Sequence, residues 1–155
     1  MPDLHPMIVH FPIALLAAGV LLDAAGVFRF GERVRLAAVL LIVAGALGAV
    51  AAMLSGGWAE HAAENIVGIE RALEAHEELG RIAAWSALAY AVLRLVAEYV
   101  WRRAVLVHML RAAGLLVLAV VLYTGHTGGG LVREYAAGTT GSTVVKMINQ
   151  GEEEE

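Results

Sequence analysis

The chain alternates between long apolar runs and shorter polar connections. A helix needs about 20 mostly apolar residues to cross the hydrocarbon core of a bilayer. Four runs reach that length, at residues 9–28, 36–54, 82–101 and 105–125. The pattern therefore predicts an all-α integral membrane protein, built as a bundle of four transmembrane helices.

The connections between these runs predict how the helices are arranged. Residues 29–35 and 102–104 form short connections, and short connections favour antiparallel neighbours, so we predict an up-down-up-down bundle. The middle connection is longer and polar, and residues 70–78 within it predict a short interfacial helix between helices 2 and 3. The predicted domain covers residues 1–138, and a mobile polar and acidic tail follows at 139–155.

Basic residues are unevenly divided between the two ends of the predicted bundle. The end with the short connections carries Arg29, Arg33, Arg35, Arg102, Arg103 and Arg111, and the opposite end carries Arg71, Arg81, Arg133 and Lys146. Short cytoplasmic loops of membrane proteins carry an excess of Lys and Arg. We therefore predict that the short connections face the cytoplasm and that both termini lie on the outer, periplasmic side.

Composition limits the partners and cofactors open to this chain. The sequence is 59% hydrophobic and only 17% charged, whereas about a quarter of a soluble domain is charged. The lipid bilayer is thus the expected partner, and a net charge of −4 argues against nucleic acid. The sequence contains no cysteine, which excludes disulfides, thiolate metal sites, iron–sulfur clusters and covalent c-type haem.

Motifs of the common enzyme classes are missing from the sequence. It has no nucleophile elbow, no zinc-protease HExxH motif and no phosphate-binding loop. The glycine run at residues 128–130 lacks the Lys and Ser/Thr of such a loop, and we expect it to turn the chain sharply after the fourth span. Whether the protein is an enzyme stays open, with electron transfer or metal binding favoured over classical catalysis.

Five of the six histidines fall at the predicted outer end of the bundle. They are His5, His10, His61, His76 and His126. Imidazole binds iron, copper and zinc, and a b-type haem is often held by two imidazoles. In the predicted order the first and third spans are diagonal, which makes His10 and His76 the favoured axial pair. His61 with His126 would be a second, weaker pair.

His5 and His10 call for different roles. A separation of five residues corresponds to about 140° around an α-helix, so the two rings would not face one ligand. We favour His10 as a ligand and His5 as an outer partner. Tyr123, one turn before His126, would either hydrogen-bond a ligand or anchor its helix at the interface, and anchoring is the favoured role.

The same end of the bundle also permits a metal site without haem. The alternative ligands are His10, His76 and His126, with Glu77 or Glu60. Such nitrogen and oxygen ligands suit copper, zinc or non-haem iron. The sequence does not decide between a haem and a bare ion.

Three charged residues lie inside the predicted spans. Asp23, Arg94 and Glu98 are all in the half of the bundle nearest the short connections. An unpaired charge at mid-bilayer costs about 2.5–3.5 kcal/mol on insertion scales. Arg94 and Glu98 are one helical turn apart and can pair, and Asp23 can reach Arg94 across the bundle. We interpret the three as an interhelical clamp, with a proton path towards the histidines as the functional alternative.

Three stretches resemble the motifs of an uncharacterised bacterial membrane family, domain of unknown function 2231 (DUF2231). They read HPMIVHFPIALL at residues 5–16, HEELG at 76–80 and GHTGGGLV at 125–132. The resemblance implies four helices in a bacterial inner membrane, and the family's motif histidines correspond to His5, His10, His76 and His126. Such domains are joined to c-type cytochrome modules in some bacteria, which implies electron transfer on the outer side.

Three functions are compatible with these residues. The leading hypothesis is a redox module that binds haem b through the histidine cluster and passes electrons between a quinol and a periplasmic carrier such as a c-type cytochrome. The alternatives are a membrane protein that binds copper, zinc or non-haem iron, and a cofactor-free structural subunit of a membrane complex. Gly19, Gly45 and Gly48 would also allow close approach of a second copy, as a homodimer.

Overall fold

Four long helices account for nearly all of the described chain in the computed structural model. The structure describes residues 4–26, 31–63, 66, 68–101, 103–135 and 137, with the backbone alone for residues 4, 58 and 60–63. The helices are α1 (Leu4–Ala25), α2 (Glu32–Ala63), α3 (Glu70–Val96) and α4 (Ala104–Tyr135), and a π-helical turn, Ala97–Trp101, extends α3. All four are long and apolar enough to cross a membrane, as the sequence predicts.

Contacts between residues that are distant in the chain define the arrangement of the helices. His5, in the first turn of α1, contacts Ser55 late in α2, and His76, early in α3, contacts Thr127 late in α4. Each helix packs on the next one, and α4 packs back on α1. The helices therefore alternate in direction, and α1 and α3 are diagonal. We call the end where α1 and α3 begin the histidine end, and the end where they finish the arginine end.

Small residues allow the helices to approach closely inside the bundle. A Cβ atom built on Gly19 of α1 would lie 2.8 Å from the backbone nitrogen of Ile42. A Cβ atom on Gly45 of α2 would lie 2.7 Å from Cγ of Leu16. The glycine pattern that suggested a homodimer face is therefore used between α1 and α2 of one chain, and a dimer through another surface stays a prediction.

Large apolar side chains cover much of the outside of the bundle. Phe11, Leu47, Trp85 and Leu116 are all more than half exposed. Soluble monomers rarely expose apolar patches of such extent, but in a bilayer these side chains contact lipid. The exposed surface thus agrees with the length and composition of the helices.

Two predictions about the ends of helices were wrong. Residues 70–78 do not form a separate short helix, because they are the first turns of α3. The glycine run at 128–130 does not turn the chain, because α4 continues to Tyr135. Leu131 of that last stretch is buried in a small apolar cluster with Ile66 and Ile69. Tertiary packing therefore extends α4 through three residues of low helix propensity.

Candidate functional site

A cavity of about 350 Å³ lies inside the histidine end of the bundle. Its lining is mainly apolar and comes from all four helices, including Pro12, Ala49, Met53, Ala84 and Val121. Polar side chains are few, and they include His5, His76, Glu77, Arg81 and Thr124. An apolar cavity with a few converging polar groups is the usual form of a ligand site. We therefore take this cavity as the candidate functional site.

His5 is held at the cavity by the end of α2. Its imidazole Nδ1 lies 2.9 Å from the Ser55 hydroxyl oxygen, and that hydroxyl donates a 2.9 Å hydrogen bond to the carbonyl of Ala52. A Cβ atom on Gly56 would lie 3.3 Å from Cε1 of His5. Glycine at this position thus leaves the space in which the imidazole lies.

His76 is held in the same way by the end of α4. Its imidazole Nδ1 lies 2.9 Å from the Thr127 hydroxyl oxygen, and that hydroxyl donates a 2.8 Å hydrogen bond to the carbonyl of Thr124. A Cβ atom on Gly128 would lie 2.9 Å from Cε1 of His76. The diagonal helices α1 and α3 therefore each place one half-buried imidazole at one cavity.

The cavity is lined by His5 and not by His10. His10 is exposed, and its Nδ1 is hydrogen-bonded to the carbonyl oxygen of Pro6 in the preceding turn. The angular separation expected from the sequence therefore holds, but the ring on the inner side is the one we had placed outside. The structure brings His76 to the cavity with His5 and leaves His10 away from it.

The other residues of the predicted site are dispersed. His126 is exposed at the surface of α4, and Tyr123 is 58% exposed. Glu77 lines the cavity beside Arg81, with 3.4 Å between their charged groups. Across the residues that the structure describes, no three His, Asp or Glu side chains are grouped so that they could hold a metal ion. The side chains of His61 and Glu60 lie outside the described residues.

The helical register contains a signal that favours His5. The interval from His5 to Asp23 equals the interval from His76 to Arg94. That interval corresponds to about five full turns of an α-helix, so each histidine lies on the same face as the charged residue below it. Because Asp23 and Arg94 meet across the bundle, His5 and His76 also face the interior. The interval from His10 to Asp23 is not a whole number of turns, so His10 is out of this register.

A buried charge cluster occupies the arginine end. Arg94 is fully buried and donates two hydrogen bonds of 2.7 Å to the carboxylate of Asp23. It also donates a 3.2 Å hydrogen bond to Glu98. Both pairings that the sequence suggested are thus present, and the pair of Asp23 with Arg94 ties α1 to α3.

Two buried members of this cluster were missed by the sequence analysis. Arg111 of α4 lies 3.6 Å from the Asp23 carboxylate, although it had been counted only as a basic residue near a loop. Tyr90 is 3% exposed and lies against Gly114. Among the described residues, the Tyr90 hydroxyl and Arg111 Nε have no hydrogen-bond partner. Arg111 and Tyr90 therefore extend the cluster to α4.

The charge cluster is separated from the cavity by apolar packing. Five helical turns correspond to about 27 Å, and the buried core contains Leu16, Val20, Ala87 and Leu118. In the part of the chain that the structure describes, this core does not provide a polar connection between the two ends. The arrangement favours the clamp interpretation over a proton path.

A comparison with known families matches residues 2–141 to DUF2231, whose description is predicted membrane protein. The chain belongs to the DUF2231 family. No curated protein matches it, and no solved structure matches it. This DUF2231 protein is thus a multi-pass membrane protein with four candidate spans.

The sequence analysis did not assign the hydroxyl residues of the site, Ser55 and Thr127, as partners of the histidines. Ser55-Gly56-Gly57 stands near the end of α2, and Thr127-Gly128-Gly129 stands near the end of α4. The two triplets are similar in sequence and serve the two histidines in the same way. Their similarity is a signal that this DUF2231 protein carries but that a search for ligand residues alone does not use.

Proposed function

We propose that the protein is a membrane redox module in which His5 and His76 would hold a b-type haem in the cavity. The observation that carries the proposal is the convergence of these two imidazoles on one apolar cavity. Bundle proteins build cofactor sites from side chains on facing helices. The haem would supply one-electron chemistry, and the bundle supplies ligation, burial and orientation.

The number of available ligands supports haem over a bare metal ion. A structural zinc site uses four protein ligands and a catalytic one uses three. A porphyrin brings its own four equatorial nitrogens, so the protein has to provide only the axial ligands. Among the described residues, His5 and His76 line the cavity but no group of three ligands is formed. Two histidines therefore suit a haem better than a bare ion.

A charged residue beside the cavity suits a ligand that carries a negative group at its edge. Arg81 lines the cavity and is more than half exposed, with Glu77 as its partner. Haem propionates are carboxylates, and Arg binds carboxylates through paired hydrogen bonds. Arg81 is therefore the residue that would bind a propionate at the solvent edge of the site.

The distribution of arginine suggests the electron partners. Under the positive-inside rule we expect the arginine end on the cytoplasmic side and the histidine end on the periplasmic side. A site at that depth is open to a quinol in the outer leaflet and to a periplasmic carrier such as a c-type cytochrome. His5 and His76 would hold the haem where both of these partners could reach it.

An absorption spectrum of the detergent-purified protein tests the proposal. Protein from cells supplied with a haem precursor is expected to show a Soret band typical of six-coordinate, low-spin haem. His5→Ala and His76→Ala should each convert the spectrum to a five-coordinate form or remove the band. His10→Ala and His126→Ala are matched controls, because both rings are exposed, and they should leave the spectrum unchanged.

Three outcomes would overturn the proposal. An absent Soret band with adequate haem removes the haem site, and a stoichiometric metal found by elemental analysis would then favour a metal-binding protein. Co-purifying partners without chromophore or metal would favour a structural subunit. A loss of the band in His10→Ala, with His5→Ala unchanged, would return the axial role to His10.

A further inference from the structure

The two halves of the bundle have the same construction around their histidines. His5 is 50 residues from its partner Ser55, and His76 is 51 residues from its partner Thr127. In both cases the imidazole belongs to the first helix of a hairpin and the hydroxyl to the second. The distance from the imidazole Nδ1 to the hydroxyl oxygen is 2.9 Å in both halves.

The correspondence continues along the whole length of the hairpins. Asp23 and Arg94 are 71 residues apart, the same offset that relates His5 to His76. At that offset the buried Leu16 and Val20 of α1 correspond to the buried Ala87 and Ala91 of α3. In the second helix of each hairpin the offset is 72 residues, which relates Ser55 to Thr127 and Ile42 to Gly114. The interhelical contact of Gly19 with Ile42 thus corresponds to that of Tyr90 with Gly114, with the small and large partners exchanged. The hairpins α1–α2 and α3–α4 are therefore two copies of one structural unit.

Hydrogen-bond geometry favours the same tautomer in both copies. A hydroxyl group has one proton to donate. The Ser55 proton is donated to the Ala52 carbonyl and the Thr127 proton to the Thr124 carbonyl. Each hydroxyl oxygen must then accept its hydrogen bond from the imidazole, which places the proton on Nδ1 and leaves the lone pair on Nε2.

We propose that Ser55 and Thr127 are a matched pair of positioning residues. They keep Nε2 of His5 and of His76 unprotonated, so that the two rings are equivalent ligands in a site with two-fold pseudosymmetry. This inference rests on the proposed function, because two equivalent Nε2 ligands suit a haem held between them. A ligating histidine commonly passes its other ring proton to an oriented acceptor. Here the acceptor is a hydroxyl whose own proton is directed to the backbone of the same helix.

The tautomers can be measured in the haem-free protein by ¹⁵N NMR of histidine-labelled samples in detergent. His5→Ala and His76→Ala assign the two signals. The expected result is a protonated Nδ1 and an unprotonated Nε2 for both rings. Ser55→Ala should convert the His5 signal alone to a mixture of tautomers, and Thr127→Val should do the same for His76 alone.

Exchanging the two hydroxyl residues provides the matched control. Ser55→Thr and Thr127→Ser keep a hydroxyl at both positions and should retain both tautomers. In the haem-loaded protein, Ser55→Ala and Thr127→Val should each weaken haem binding by about 10- to 100-fold, as loss of an outer partner does in other sites. The two losses should be similar, and the hydroxyl exchange should restore affinity.

The outcomes separate this inference from the proposed haem function. Protonated Nε2 in the wild-type protein, or tautomers unaffected by Ser55→Ala and Thr127→Val, would overturn the inference even if the Soret band depends on His5 and His76. If the expected tautomers are found but no Soret band is, the role of Ser55 and Thr127 as positioning residues would hold and the proposed haem function would be overturned. A large loss of affinity in one half only would overturn the equivalence of the halves.

Discussion

The two ends of the bundle use the same diagonal pair of helices in different ways. At the arginine end, Asp23 and Arg94 bond directly to each other at 2.7 Å. At the histidine end, His5 and His76 occupy the corresponding faces of the same helices, but each bonds to a hydroxyl of its own hairpin. A cavity of about 350 Å³ lies at the level of the imidazoles. One end is a closed clamp and the other is open to a ligand.

The difference follows from the chemistry of the residues at equivalent positions. A carboxylate and a guanidinium complete each other's hydrogen bonds, so the diagonal at Asp23 and Arg94 closes without a third component. Each of the two imidazoles donates its Nδ1 proton to a hydroxyl, so both rings present only an acceptor nitrogen, Nε2, to each other. They cannot hydrogen-bond directly, and only a ligand between them can bind both Nε2 atoms. The duplicated hairpin thus gives a clamp where the two copies differ in charge and a site where they are alike.

The largest effect is expected when the clamp loses one charge. Arg94→Leu would leave the Asp23 carboxylate buried, with Arg111, 3.6 Å away, as its remaining ion partner among the described residues. Breaking a buried ion pair from one side costs about 3–5 kcal/mol, because the remaining charge is uncompensated. We expect a decrease of that size in the free energy of unfolding, measured by denaturing titration in mixed micelles.

The matched control removes both charges. In the double variant Asp23→Leu with Arg94→Leu, no charge of the central pair stays unpaired, and most of the lost stability should return. Equal losses in the single and double variants would contradict the clamp. The absorption of the histidine end should stay unchanged in every variant that folds. If Asp23→Asn folded normally but abolished electron transfer, the proton-path interpretation would replace the clamp.

The two halves of the site should differ when a methyl group is added behind each imidazole. Gly128→Ala places a Cβ atom 2.9 Å from Cε1 of His76, whereas Gly56→Ala places one 3.3 Å from Cε1 of His5. Overpacking costs about 1–3 kcal/mol, and we expect the tighter position to approach the upper value and the looser one the lower. Haem retention and thermal stability in detergent measure the effect.

Gly129 offers the control for this comparison. A Cβ atom there would meet nothing within 4 Å, so Gly129→Ala should keep haem binding and raise helix stability by about 0.5–1 kcal/mol. An effect of Gly56→Ala larger than that of Gly128→Ala would show that the spacing at the two imidazoles does not control the site.

Much of the architecture could be predicted, because the lipid bilayer dictates the length of the helices and the pairing of charges inside them. Apolar length alone located the four spans, and the cost of buried charge predicted that Arg94 would meet Asp23. The helix ends could not be predicted in this way. The last turns of α4 persist because Leu131 packs on Ile66 and Ile69, and these contacts are not visible in the local sequence.

The positions of His5 and His10 show which part of the site the sequence analysis could not place. Both belong to one motif, and membrane depth does not separate them. What separates them is rotation about α1, which is set by the face that packs inward with Pro12 and Asp23. His5 and Asp23 are separated by a whole number of helical turns, so they lie on the same face of α1. Because Asp23 faces the interior in the charged clamp, its position predicts which histidine also faces inward. The roles of Ser55 and Thr127 could not be predicted from the sequence, because each residue is distant in the chain from the histidine that it contacts.

The smallest effect is expected at the exposed edge of the clamp. Arg35 and Arg94 both contact Glu98, but the Arg35 side chain is 44% exposed and lies 3.7 Å away. Solvent-exposed ion pairs contribute about 0–1 kcal/mol and weaken with added salt. Arg35→Ala should therefore lower the free energy of unfolding by less than about 1 kcal/mol, with the difference disappearing at high ionic strength, while Arg35→Lys should be neutral. A salt-independent loss as large as that of Arg94→Leu would mean that burial does not decide which arginine holds the bundle together.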